Sequence, residues 1–254
     1  MSTSPTPDLT GKVVLITGTR RGIGAAAAGH LAALGADIVA LNRSVADRST
    51  PGMALECDVS DLDAVARAMD RVARSKGRVD VLINNAGTIE PIARIIDSDP
   101  ADWSHAIATN LTGAYAVARL ALPLLLKAGG GTIINISSGA ATSALEGWSH
   151  YCASKAGLRA LTACMDVELR GRGIRVIGLS PGTVATDMQT AIRASAINAV
   201  SRLSPSVHLS PDWVAKAIAF LCTAEADPYL GTDFSLKTEE GRRLSGLPPL
   251  GPSA

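Results

Sequence analysis

A short apolar run, Lys12 to Thr17, breaks into Gly18-Thr19-Arg20-Arg21-Gly22-Ile23-Gly24 and resumes as an alanine-rich stretch, Ala25 to Leu34. The first run has the length and apolar content of a buried strand, the second the composition of a helix, and the glycines between them force a tight turn. Strand, glycine loop and helix in that order commit the chain to a βαβ unit and hence to a parallel sheet. Gly18 and Gly22 allow a tight turn and close approach of the backbone to a pyrophosphate. Gly24 allows close packing of helix on strand, and the helix N-terminus supplies oriented N–H groups to the phosphates, with Ile23 counted among the cofactor-binding residues. The spacing is G-x3-G-x-G, not the commoner G-x-G-x-x-G, and glycines also mark strand-to-helix turns that bind nothing.

The same alternation continues to the end of the chain. Ile38 to Leu41, Met53 to Cys57, Asp80 to Ile83, Thr132 to Ile136, Gly173 to Leu179 and Asp233 to Leu236 read as further strands. Helical stretches lie between them: Leu62 to Ser75 behind the cap Asp61, Ala101 to Lys127 with Asn110 mid-span and Pro123 near its end, Tyr151 to about Arg170, and a final one from Pro211 to Thr223. This predicts an α/β, Rossmann-type, doubly wound, seven-stranded parallel sheet with helices on both faces. No repeat or linker divides the 254 residues, so one dinucleotide-binding domain over residues 1–254 is expected. Residues 184–209 carry little pattern and have the length of a substrate lid, and the Gly/Pro-rich tail 246–254 is expected to be loosely ordered.

A net charge of +1 with no basic block leaves no electrostatic footprint for nucleic acid. No apolar run is long enough to span a membrane, and the polar start, Met1 to Thr10, is neither a signal peptide nor an anchor. Cys57, Cys152, Cys164 and Cys222 lie far apart, with no cysteine–histidine cluster. That argues against a zinc site or a disulfide framework and suits a reducing, cytoplasmic setting.

The second strand ends at Asn42-Arg43, where such a fold meets the adenosine ribose. An acidic residue there would bind the 2′-hydroxyl and repel a 2′-phosphate. With Asn42 in that place, and Arg43, Arg20 and Arg21 near it, NADP(H) is favoured over NAD(H). Farther on, Tyr151 and Lys155 stand one helical turn apart. An ammonium so close to a phenol is expected to lower its pKa and fit it for proton transfer to a carbonyl or alcohol oxygen. The pairing alone is common on helices. Asn110 inside an apolar helix reads more readily as a satisfied buried amide than as a catalytic one. His150 reads as structural or interfacial, and Trp148 as a wall of the substrate pocket.

Taken together, Thr17-Gly18-x3-Gly22-x-Gly24, Asp58-Val59, Asn84-Asn85-Ala86-Gly87, Asn110, Ser138, Tyr151-x3-Lys155 and Pro181-Gly182 resemble the short-chain dehydrogenase/reductase family over about residues 10–236. The segments Glu146 to Ser149, Thr186 to Gln189 and Gly231 to Phe234 look most like its sepiapterin reductase/benzil reductase branch. The resemblance implies that Ser138 binds the substrate oxygen, Tyr151 exchanges its proton, Lys155 lowers the tyrosine pKa and holds the nicotinamide ribose, and Asn110 holds a relay water. It also implies Asp58 and Val59 at the adenine, Asn85, Ala86 and Gly87 along the cofactor, and Pro181, Gly182 and Thr183 at the nicotinamide, with the carboxamide meeting Thr183. A homotetramer or homodimer built through the helices around Ala101–Lys127 and Tyr151–Arg170 is implied as well. The chain departs from many relatives where Lys237-Thr238-Glu239-Glu240-Gly241 replaces an Asp-Gly-Gly ending. The expected activity is NADP(H)-linked interconversion of a ketone and a secondary alcohol. The alternatives are an NAD-linked alcohol dehydrogenase, a catalytically idle NADP-binding regulatory protein, and an epimerase or dehydratase that recycles its cofactor.

Overall fold

In the computed structural model, which describes residues 7–45 and 50–250, the first strand, β1 (Val13–Thr17), feeds two cores at once. Val14 and Ile16 point into one and Val13 and Leu15 into the other, all of them buried. A strand covered on both faces has no polar side, which is why these runs read as continuous apolar sequence. The strands that follow are β2 (Asp37–Asn42), β3 (Met53–Glu56), β4 (Val81–Asn84), β5 (Gly131–Ile136), β6 (Ile174–Ser180) and β7 (Asp233–Ser235). Among the described residues these seven strands form one parallel sheet in the order β3-β2-β1-β4-β5-β6-β7. The strand order reverses between β1 and β4, and in such sheets ligands bind beyond the carboxyl ends at that switch point.

Helices α1 (Gly22–Ala33) and α7 (Pro211–Leu221) close one face. Helices α2 (Leu62–Lys76), α4 (Gly113–Lys127) and α5 (Ser149–Leu169) close the other. The cap expected of Asp61 forms, its carboxylate accepting from Asp63 N at 2.9 Å and Ala64 N at 3.1 Å. Val65, Met69 and Val72 form the buried stripe of α2, as their spacing predicts.

Four expectations need correction. The long helix from Ala101 is two helices, α3 (Pro100–Ile107) and α4, joined by a π turn at Ala108–Thr112 that centres on the buried Asn110. A π turn adds a residue to one turn and needs no glycine or proline, so periodicity does not reveal it. Residues 184–209 contain α6 (Asp187–Ser195), whose inner side contributes Ile192 to a small core with Trp148 and Tyr151. Helix α7 is not the final one, because α8 (Glu239–Leu244) follows β7. The start of the tail is tied down: Leu247 is buried, its N–H donates to Arg242 O at 2.8 Å, and Arg242 Nη1 donates to Pro248 O and Pro249 O. The rest of the tail (residues 251–254) and the first six residues of the polar start lie outside the described residues.

Candidate active site

The carboxyl ends of β1, β2, β4, β5 and β6 open into one cleft of about 890 Å³. Its floor begins at the glycine loop. Gly18 and Gly22 have φ of +73° and +58°, the left-handed region that favours glycine. A β-carbon on Gly24 would lie 2.1 Å from Gly18 O, so no side chain fits there. Arg21 stands at the N-cap of α1 without a side-chain cap bond, which leaves the first N–H groups of the helix to a ligand. The predicted residues Ile23, Arg43, Asp58, Val59, Ala86, Gly87, Pro181, Gly182 and Thr183 all line the cleft.

Three of the expected cofactor contacts have other work. Asn42 is buried, its Oδ1 accepting from Thr19 N at 2.7 Å while its Nδ2 donates to Thr19 Oγ1 at 2.9 Å. Its amide braces the glycine loop instead of reaching for a ribose. The Nδ2 of Asn85 donates to Thr17 O and Gly18 O, stitching β4 to the same loop. Arg21 is engaged with Asp187 at 2.9 Å, tying the glycine loop to α6. Arg20 and Arg43 line the cleft without an ion pair among the described residues. Burial pushes the Asp58 carboxyl up, but hydrogen bonds from Ser60 and the charges of His105 and Arg43 bring it below its ordinary value.

At the other end of the cleft, α5 turns one face to the sheet. Tyr151, Ser154, Lys155, Leu158 and Thr162 are all buried on it, so the predicted one-turn pairing holds. Lys155 Nζ donates to Ile136 O at 2.7 Å and lies 5.7 Å from the Tyr151 ring centroid. Burial lowers the Lys155 pKa to about 8, and Asp233 opposes that fall. The Tyr151 pKa is raised, not lowered: burial drives it up and Ser138 pulls it only partly back. The sequence expectation gave the ammonium the deciding role, whereas here desolvation of the phenolate outweighs its neighbours. Ser138 Oγ accepts from Ala140 N at 3.2 Å, which fixes the hydroxyl at the end of β5 beside the tyrosine.

Asn110 spends both donors of its amide, on Thr88 O at 2.9 Å and Ser154 Oγ at 3.1 Å, and its Oδ1 accepts from Thr88 N at 2.7 Å. It braces the segment after β4 against α5. His150 is structural, with Nε2 2.7 Å from Ile89 O and its pKa lowered by burial. Trp148 packs edge-on against Tyr151 at 5.7 Å and lines the cleft.

Several site residues escaped the sequence reading. Thr186 Cγ2 would lie 3.1 Å from a β-carbon on Gly22, which seats it on the glycine loop. His105 lines the cleft near Asp58. Asp233 lies behind the site, accepting from Ser137 Oγ at 2.7 Å, with Arg159 at 3.9 Å and its Oδ1 buried without a partner. Burial raises its pKa, against Ser137, Arg159 and Lys155. Only an acidic residue opening a predicted strand hinted at it. Lys237 also reaches the cleft.

Comparison with known proteins bears on the family and the fold. The profile of the short chain dehydrogenase family matches residues 12–196. D-threitol dehydrogenase of Mycolicibacterium smegmatis is 35% identical over 240 residues, covering 89% of this chain and 91% of that one. Cis-4-hydroxycyclohexanecarboxylate dehydrogenase of Sinomonas cyclohexanicum is 35% identical over 230 residues, covering 87% and 92%. A solved structure described as an NAD(P)-dependent gluconate 5-dehydrogenase of Beutenbergia cavernae, with NADP bound at low occupancy, superposes with a TM-score of 0.80 at 30% identity, covering 90% and 96%. A family profile over most of the chain and relatives matched almost end to end leave one conclusion, that this protein belongs to the short-chain dehydrogenase/reductase family, whose members are oxidoreductases of alcohols and ketones that use NAD(P).

Proposed function

We propose that the chain is an NADP(H)-dependent oxidoreductase that interconverts a ketone and a secondary alcohol, with Tyr151 as the general acid and base. One observation carries the reading: a single cleft joins the uncapped start of α1 to Ser138, Tyr151 and Lys155. The cradle fits a dinucleotide, since Gly24 leaves no room for a side chain and the helix start offers unpaired N–H groups. Gly18, Gly22, Ile23 and Thr186 would hold the pyrophosphate, Arg20 and Arg43 the 2′-phosphate, Asp58 and Val59 the adenine, and Thr183 the carboxamide. When bound, the nicotinamide supplies or accepts the hydride.

The protein's own part is to hold the oxygen and move a proton. In the reducing direction, charge grows on the carbonyl oxygen as its π electrons withdraw to it. Ser138 donates a hydrogen bond to that oxygen, and Tyr151 gives it the phenolic proton. The raised Tyr151 pKa keeps the phenol protonated at neutral pH, ready to donate. Lys155, charged below about pH 8, stabilises the phenolate left behind. Trp148 and the residues around it shield the transfer from water.

The relatives named above act, by their names, on hydroxylated substrates, which supports a small polar alcohol or ketone here. The likeness to the sepiapterin reductase/benzil reductase branch rests on short segments whose acidic residues have structural partners, Glu146 with Arg94 and Asp187 with Arg21. We also propose that residues 184–209 act as the lid within a single domain, and that the protein is a homo-oligomer. The exposed Tyr115 on α4 and Val167 on α5 support such an interface. No helix among the described residues is long and apolar enough to cross a membrane. The test is NADPH oxidation with a panel of ketones, in the wild type and in Tyr151→Phe. Turnover in the wild type alone supports the assignment. Equal turnover in both sinks the proton-donor role, and turnover in neither favours the idle NADP-binding relative.

A further inference from the structure

Lys237 occupies the place where the sequence departs from the Asp-Gly-Gly ending, and its position is fixed from both sides. Leu236, buried, donates its N–H to Ser180 O at 3.1 Å, and Lys237 N donates to Ser235 Oγ at 3.2 Å. Thr238 Oγ1 donates to Ser235 O at 2.9 Å and accepts from Gly241 N at 3.0 Å, starting α8 immediately after it. The lysine side chain then runs back over the cleft. A β-carbon on Gly182 would lie 3.4 Å from Lys237 Cγ and 3.5 Å from Cε, and one on Gly139 would lie 3.6 Å from Nζ. Its stem thus lies over the nicotinamide-side loop, and its ammonium sits beside the residue that follows Ser138.

That ammonium has no hydrogen bond or ion pair among the described residues. The nearby acids are committed elsewhere. Glu239 Oε1 accepts from Leu250 N at 3.0 Å, and Glu240 interacts with Tyr229. Of the carboxylates lining the cleft, Asp187 is paired with Arg21, Glu90 accepts from Ile92 N, and Asp58 accepts from Ser60. The cleft therefore has unpaired positive charge at both ends. Arg20 and Arg43 lie at the adenosine end, and Lys237 lies at the substrate end, set apart from the glycine loop where the cofactor phosphates belong.

We propose that Lys237 is the anion-recognising residue of the substrate site, and that the physiological substrate is an oxo or hydroxy acid whose carboxylate pairs with its ammonium. The inference rests on the proposed ketone–alcohol chemistry and adds the substrate's charge. Lys237 is exposed at the mouth of the cleft, where a charge-assisted hydrogen bond to a substrate carboxylate is enough to favour an acid over its ester by about tenfold or more.

The experiment compares acetoacetate, 4-oxopentanoate and 4-oxocyclohexanecarboxylate with their methyl esters as oxidants of NADPH and NADH. Binding of each to the enzyme–cofactor complex is followed in parallel by cofactor fluorescence. The expected result is an acid-over-ester preference of at least about tenfold in kcat/KM, expressed mainly in KM. Lys237→Arg should keep the preference, Lys237→Met should reduce it to near unity, and Lys237→Glu should invert it, all three with the NADPH Kd of the wild type. Esters used as well as acids by the wild type would overturn the inference and leave the proposed function standing. A preference that survives in Lys237→Met, or a raised NADPH Kd in that variant, would also overturn it, the latter by placing the lysine on the cofactor. Neither turnover nor binding of any member of the panel would overturn both readings.

Discussion

The two ends of the cleft are built on opposite plans. At the adenosine end, three of the side chains that a sequence reading assigns to the ligand have partners in the protein: Asn42 braces Thr19, Asn85 braces Thr17 and Gly18, and Arg21 pairs with Asp187 at the surface. What remains for a ligand there is backbone, presented by glycines and a helix start, together with Arg20 and Arg43. At the substrate end, the side chains themselves stay available. Ser138, Tyr151 and Lys237 face the cleft, and Trp148 lines it with an Nε1 that has no partner. A site made of backbone is specified by local spacing and tolerates little change. A site made of side chains drawn from distant segments can be retuned one residue at a time.

The comparison breaks most sharply at Tyr151. Tyr151→Phe should lower kcat by about a thousandfold, the scale of a lost general acid, while the NADPH Kd stays within about twofold. A comparable loss of binding would mean that the two ends are not separable.

Next in size is a stability effect at Lys155. Burial holds its pKa at about 8 against an ordinary value of 10.5, so between those pH values the folded protein sheds a proton that the unfolded chain keeps. Stability should therefore rise with pH across that window, by about 3 kcal/mol relative to Lys155→Met. Urea melts of both proteins on either side of the window measure it, and parallel pH profiles would contradict the buried charge.

Arg43→Asp should shift the NADPH-to-NADH preference by about tenfold or more toward NADH. If only Arg20→Ala moves the ratio, Arg20 alone reads the phosphate. The smallest effect belongs to Asp233, the charge behind the site. Asp233→Asn removes the carboxylate that supports the Lys155 ammonium against burial, leaving Arg159 and Ser137 around it. The limb of the pH–rate profile governed by Lys155 should then move to lower pH, with a severalfold loss above neutrality. A uniform loss at every pH would mark Asp233 as a packing residue only.

This division also explains what could be read from the sequence. The sheet, its helices and the glycine loop were legible because each rests on local pattern: apolar runs, the Asp61 cap, three glycines in seven residues. Tyr151 and Lys155 were legible as a pair because they lie one turn apart on one helix, whereas Ser138 entered only through the family resemblance. The π turn at Asn110 was not, since one inserted residue leaves hydrophobic periodicity almost intact. The Tyr151 pKa was misread because burial, which no spacing reports, raises it more than the Ser138 hydrogen bond lowers it. Thr186, Asp233 and Lys237 reach the site only through folding of segments far from it in sequence. Lys237 left a trace as an anomaly in a familiar ending, without revealing where its ammonium would go.

The most direct test of the central claim is a fluorescence titration of the purified protein with NADPH and with NADH. NADPH binding at least about tenfold tighter than NADH, with the difference abolished in Arg20→Ala/Arg43→Ala, is the result predicted. Equal or reversed affinities would contradict the claim and point instead to NAD-linked alcohol oxidation.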